Sequence, residues 1–242
     1  MKDGLKSRMK KIPVLYPCWH QLRLDINRRR EKKKKEAYRN YSGQILKDVF
    51  EVMIAKRIKC VCIEGTLLGL VRDGQLIPWD DDLDFAIIES DSFSWELFEK
   101  YMNEKGFWKY RTFEDEGKVI SQSYKKKGVL CDFGIWPDTT EEIDLVYGCY
   151  EIPGNKYISG CAGKYQVWNR KVPGIKGIVK RTIGGTAVLI PKNSEEILAA
   201  IYGKNWRIPD PKFSIEVDEY EKEYTATYYK KPFRGIGKKW MK

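Results

Sequence analysis

From Tyr38 to Arg57 the apolar residues Ile45, Val49, Phe50, Met53 and Ile54 recur at the spacing of one helix face, which predicts a helix packed against the body and leading into a strand over Lys59–Glu64. The period then changes. Leu83, Phe85 and Ile87 alternate with Asp82, Asp84 and Ala86, so this stretch reads as a strand with two carboxylates on one face. Asp91 or Ser92 can cap a further helix whose inner face is Trp95, Phe98, Tyr101 and Met102 and which Gly106 ends. Phe107–Phe113, Lys118–Lys125 and Val129–Trp136 read as strands parted by Glu-Asp-Glu-Gly and Lys-Lys-Lys-Gly turns. Residues 137–190 are rich in Gly, Tyr and β-branched positions, read as short strands and loops that suit a second sheet or a binding platform. Asn193 with Glu196 is placed to cap a helix over Ser194–Tyr202 that Gly203 closes, and Ser214–Tyr229 reads as a charged helix. The pattern as a whole predicts an α+β chain, a mixed sheet flanked by helices with additional C-terminal strands and helices.

Charge divides the chain more sharply than hydropathy does. Residues 1–36 hold thirteen Lys or Arg against four acids, and residues 230–242 hold six against none. With a whole-chain formal charge of +11, these +9 and +6 ends leave the middle at −4. The expected organisation is a basic N-terminal arm (1–36), a catalytic domain (37–229) and a basic C-terminal tail (230–242). A faintly acidic body with charged ends is not the layout of a nucleic-acid groove, whose cations line the working cleft, so no nucleic-acid partner is expected. Aromatic residues interleave with the cations at both ends, among them Tyr16, Trp19, Phe233 and Trp240, a composition suited to peripheral contact with an anionic membrane. No run is long and apolar enough to be a span or a signal peptide core, and six scattered cysteines in a chain of 242 residues are expected to stay reduced in a cytoplasmic setting.

The chemistry concentrates in Gly65–Ile88, GTLLGLVRDGQLIPWDDDLDFAII. Asp82 and Asp84 side by side repel unless a cation joins them, and a hard divalent ion such as Mg²⁺ (or Mn²⁺) is held by just such carboxylates together with substrate phosphates. Gly65 and Thr66 follow the apolar run Cys60–Ile63 and open a short helical segment, Leu67 to Arg72, the arrangement that aims backbone amides at a phosphate. Asp132 is a lone acid in the otherwise apolar strand Val129–Trp136, and such an acid is costly unless paired or metal-bound. Asp80, Asp81 and Glu64 stand around this set. The only histidine, His20, lies in the arm, so neither a zinc centre nor a Ser-His or Cys-His nucleophile is expected in the body.

GTLLG, Arg72 and IPWDDDLDFAI resemble the signature of the LicD and fukutin-related phosphotransferase family, and YGKNWRIPDP resembles its C-terminal signature; the likeness spans roughly residues 40 to 212. The resemblance implies a nucleotidyltransferase-like fold and transfer of a phospho-alcohol from a CDP-activated donor to a glycan or lipid-linked saccharide. It implies Asp82, Asp84 and Asp132 as catalytic and metal-holding residues, with Gly65, Thr66 and Arg72 on the donor phosphates. The basic arm is not part of the family pattern. Two other readings stay open at this point: a true nucleotidyltransferase that releases pyrophosphate, and a non-catalytic basic surface-binding protein.

Overall fold

The computed structural model describes residues 15–152, 158–210 and 218–230, so the terminal clusters at 1–14 and 231–242 lie outside the described residues. Helix α1 spans Leu15–Ala55, 41 residues, and begins well before the predicted start at Tyr38. The run RRREKKKKEA is made of straight-chain residues that lose little rotamer freedom in a helix, so nothing local ends the helix there. Its second half buries Ile45, Val49, Phe50 and Met53 as the spacing predicted and Tyr38 as well, whereas Ile54 points outward. Among the described residues no helix is long and apolar enough to cross a membrane.

The strands are β1 (Cys60–Cys62), β2 (Asp82–Ile88), β3 (Trp108–Asp115), β4 (Lys118–Lys126), β5 (Val129–Trp136), β6 (Glu142–Glu151), β7 (Cys161–Pro173), β8 (Ile178–Ile183), β9 (Thr186–Pro191) and β10 (Asp218–Tyr228). Eight of them form one sheet in the order β1-β2-β5-β4-β3-β10-β7-β6, and β8 and β9 form a separate hairpin. Only β2 and β5 pair in parallel; every other pairing is antiparallel. Helices α2 (Glu64–Arg72), α3 (Trp95–Glu104) and α4 (Ser194–Tyr202) complete the fold. The architecture is the mixed α+β sheet with flanking helices that the pattern predicted.

Four local readings are corrected. Ser94, not Asp91 or Ser92, caps α3 by accepting a hydrogen bond from the Leu97 amide. Asn193 makes no side-chain cap on α4; its amide accepts from the Lys176 N–H and donates to the Gly174 carbonyl, tying the segment between β7 and β8 to the helix start. The predicted charged helix after Ser214 is strand β10: the string DEYEKEYTATY sets Tyr220, Lys222, Tyr224, Ala226 and Tyr228 at period two, and pairing on both edges with β3 and β7 outweighs its charge. The strand expected over Lys59–Glu64 is only Cys60–Cys62, because helix α2 begins at Glu64.

Strand β2 alternates only through Phe85; Ala86, Ile87 and Ile88 are all buried, so both faces of its second half are covered. Phe85 stacks on Phe133 of β5 with ring centroids 4.8 Å apart, and Phe98 of α3 meets Phe133 edge-on at 5.0 Å. These rings fix the parallel pair from the side opposite the acids, each such contact adding about 0.5–1.5 kcal/mol beyond its buried area.

Candidate active site

Register puts the acids together. In the parallel pair Asp84 lies opposite Asp132, and in the next pairings Asp132 lies opposite Ser123 of β4 and Ser123 opposite Arg111 of β3. Register partners share a face, so Asp84, Asp132, Ser123 and Arg111 form one row across the sheet. A second row, two residues along, runs Asp82, Leu130, Lys125. Carboxylate oxygens of Asp82, Asp84 and Asp132 come within 4.8 Å of one another, and Asp80, Asp81 and Asp82 form a second such group.

The expected partners of the donor serve the acids first. Thr66 is fully buried, and its hydroxyl accepts the Asp84 N–H at 2.8 Å, so it fixes the backbone from which that carboxylate projects. A Cβ on Gly65 would lie 2.6 Å from Asp80 Oδ2, closer than any side chain tolerates; glycine here lets the Asp80 carboxyl close over the start of α2. Glu64, the first residue of α2, has φ +46, a conformation costly for a residue with a side chain, which brings its carboxyl in beside Asp80 and Asp132. Arg72 lies at the far end of α2, its guanidinium held by Asp73 at 2.9 and 2.7 Å, with the Tyr202 phenol also nearby.

Burial and mutual repulsion make these acids reluctant to ionise. Burial followed by the charges of Asp132 and Asp80 pushes Asp82 well above the ordinary carboxylate range; for Asp84 the cause is burial followed by Asp82, Glu64 and Asp132. Glu64 is pushed up to about 7 by burial and then by Asp132 and Asp80. Asp80 is raised to about 6, chiefly by burial, against the opposing hydrogen bond from the Asp81 amide and the charges of Lys34 and Lys35.

Cations border the acids, and motif reading had not found them. Arg111 Nη2 lies 3.5 Å from Asp132 Oδ1, its guanidinium over the Phe113 ring, and its buried Nε has no partner among the described residues. Lys125 sits over the Tyr110 ring at 3.3 Å; burial and then the charges of Lys34 and Arg111 lower its pKa. Lys34, from the basic run of α1, forms a half-buried ion pair with Asp81. The available signal was period two: Arg111 and Phe113, or Ser123 and Lys125, share a strand face, but only the β3–β4–β5 register brings them to Asp132. Arg170, by contrast, donates to the carbonyls of Ala200 and Ile201 and closes the end of α4, while Lys180 and Arg181 are exposed on β8.

A donor set of three hard carboxylates, close enough to share one ion and repelling one another without it, fits a divalent cation such as Mg²⁺ or Mn²⁺. The bordering cations fit the oxygens of a phosphate.

Residues 57–193 match the family model described as LicD/FKTN/FKRP, nucleotidyltransferase domain. Shorter likenesses occur to an uncharacterized protein of Rickettsia prowazekii (strain Madrid E), 46% identical over 48 residues, 20% of this chain and 18% of the relative. An uncharacterized protein of Rickettsia typhi (strain ATCC VR-144 / Wilmington) is also 46% identical over 48 residues, 20% of this chain and 16% of that relative. The chain therefore spans under a fifth of the length of either curated relative. The family match takes in Glu64 to Asp84, Arg111, Lys125 and Asp132, the whole sheet-borne part of the site, and with it more than half of the sequence: the chain belongs to the LicD/FKTN/FKRP family.

Proposed function

We propose that the protein is a metal-dependent transferase that moves a phospho-alcohol, such as phosphocholine or a polyol phosphate, from a CDP-activated donor to a hydroxyl of a glycan or glycolipid, releasing CMP. The observation that carries this reading is the row Asp84, Asp132, Ser123, Arg111: metal-type carboxylates at one end and, at the other, a cation whose buried Nε has no partner among the described residues. A diphosphate needs both, since its oxygens must be neutralised and its reacting phosphorus held in line. Asp82, Asp84 and Asp132 would hold the divalent ion, which supplies charge neutralisation at the phosphates.

The other residues follow from where they sit. Arg111, Lys125 and Lys34 take phosphate oxygens, a role we assign to them in place of Arg72, which Asp73 already engages. Gly65 and Thr66 act on the donor through Asp80 and Asp84, whose positions they set. In the reaction the acceptor oxygen bonds to the phosphorus that carries the alcohol, the bond from that phosphorus to the CMP oxygen breaks, and CMP leaves with the electron pair. The acceptor proton passes to the carboxylate group, in which burial and then the charges of Asp132 and Asp80 raise Glu64 to about 7 in the metal-free site.

The test is a screen of CDP-choline and CDP-polyols with saccharide acceptors for Mg²⁺-dependent release of CMP. Pyrophosphate release from a nucleoside triphosphate would instead establish a nucleotidyltransferase, the activity after which the matching domain is described. Failure of either product with every donor, in protein that binds Mg²⁺, would sink both.

A further inference from the structure

Beside the acid centre lies a cleft of about 580 Å³, between α1, the loop Gly74–Pro78 that leads into β2, and the tip of the β8–β9 hairpin. That volume is in the range of small-molecule sites. We propose that this cleft binds an anionic saccharide, a sugar bearing a phosphate, and that it is the acceptor subsite of the transferase; only the word acceptor rests on the function proposed above.

Three independent features point there. Gly43 sits inside helix α1, where glycine is disfavoured relative to alanine, yet a Cβ would meet nothing within 4 Å. No neighbour in the fold demands glycine at this position. What it does is leave the helix backbone open at the mouth of the cleft, as close approach of a ligand requires. The lining has the chemistry of a charged sugar: Arg39 and Lys47 lie on the same helix face as Gly43, four residues to either side, with Lys47 held only loosely by Glu51 at 4.0 Å. Gln44 and Gln75 offer amides, and Leu46, Leu70 and Ile77 an aliphatic floor for a ring face. The third feature is the inner end. Tyr38 lines the cleft, its hydroxyl is buried with no partner among the described residues, and it lies close enough to Asp80, Asp84 and Asp82 to feel their charge. Tyr38 is therefore the wall that the cleft shares with the acids. The loop wall is continuous with the acids, since the Asp80 amide donates to the Ile77 carbonyl at 3.2 Å. A sugar in the cleft thus meets the acid centre at Tyr38.

Calorimetry on the full chain tests this with three probes, glucose, glucose 1-phosphate and inorganic phosphate, and separately with CDP plus Mg²⁺. Glucose 1-phosphate should bind the wild type more tightly than either fragment, and Gly43→Phe should weaken it at least about tenfold while Gly43→Ala changes it little. Binding of CDP with Mg²⁺ should be the same in all three proteins. The exposed pair Arg39→Gln, Lys47→Gln, which touches no packing, should erase the preference for glucose 1-phosphate over glucose. The proposal is overturned if glucose 1-phosphate does not bind, if Gly43→Phe leaves its affinity unchanged, or if inorganic phosphate binds as well and equally in the variants. Retained CDP binding in those cases leaves the transferase reading standing; sugar phosphate binding without CDP binding leaves the cleft standing and removes that reading.

Discussion

The half of the sheet formed by β1, β2, β5 and β4 lies under α1 and α3, and its core is continuous, from Ile45 and Phe50 through Phe85 and Phe133 to Phe98. The half formed by β3, β10, β7 and β6 has a small separate cluster, Phe113, Tyr165, Val167, Tyr224 and Ala226. The charged residues differ in the same way. On the thinly covered half opposite charges face each other across exposed strands, Lys164 with Glu221 at 3.9 Å and Lys171 with Glu142 at 3.6 Å, pairs of the kind that contribute little. On the covered half, five acids of like charge, Glu64, Asp80, Asp82, Asp84 and Asp132, crowd one edge of the core. Carboxylates are plentiful on both halves; burial together with repulsion is what turns one set into a site.

The largest effect should come from breaking that repulsion. Asp82→Asn or Asp84→Asn should lower turnover by more than about 100-fold, the scale on which even outer partners of a metal act, while leaving the melting temperature of the metal-free protein equal or higher. Asp115→Asn, in the thinly covered half, should leave turnover unchanged. CMP release and thermal melts measure both, and full turnover in either folded Asp82 or Asp84 variant would remove the metal assignment.

Packing gives the next contrast. Phe133→Ala empties a position between Phe85, Phe98 and Tyr124 and should cost about 3–5 kcal/mol, against about 1–3 kcal/mol for Val167→Ala in the smaller cluster. Urea unfolding reads the difference; equal losses would mean that the two halves unfold on one common core.

The same contrast explains what could be read from sequence. Asp82, Asp84 and Asp132 were legible because each interrupts an apolar strand, where burial leaves few ways to satisfy an acid. Arg111, Lys125 and Lys34 were not, because a cation on a polar strand or a basic helix looks like solvated surface until register and packing bring it to the acids. Strand β10 failed for a related reason: its period-two tyrosines were outvoted by its charges, and its pairing partners are 49 or more residues away in sequence.

pH acts on the covered half with a defined sign. Acids whose folded pKa lies above the ordinary value of about 4 stabilise the fold only while protonated, so that contribution is present below pH 4 and is lost as pH rises through about 6 for Asp80 and about 7 for Glu64. Metal-free protein should therefore melt several degrees lower at pH 8 than at pH 5. Mg²⁺ should raise the melting temperature more at pH 8, where the site is ionised, than at pH 5. A melting temperature that rises with pH in the absence of metal would contradict the burial of these acids.

The smallest effect concerns the basic half of α1. Truncation at residue 37 would remove Lys34 and its ion pair with Asp81, so it would disturb the site and any membrane contact together. Arg28, Arg29 and Arg30 are exposed, and Leu22 and Ile26, one turn apart, are exposed apolar residues near them. Cations beside exposed aliphatic side chains are a surface for anionic bilayers, worth about 1 kcal/mol per cation near the headgroups and screened within about 10 Å at 0.1 M salt. We propose that this face makes the peripheral contact. Replacing Arg28, Arg29 and Arg30 by Gln should weaken sedimentation with phosphatidylserine vesicles severalfold at low salt and hardly at all at high salt, with turnover on a soluble acceptor unchanged, since all three are exposed and Arg28 pairs with Asp25 of its own helix. Undiminished vesicle binding would move the contact to the terminal clusters; an equal fall in turnover would show that the arm serves the site rather than the bilayer.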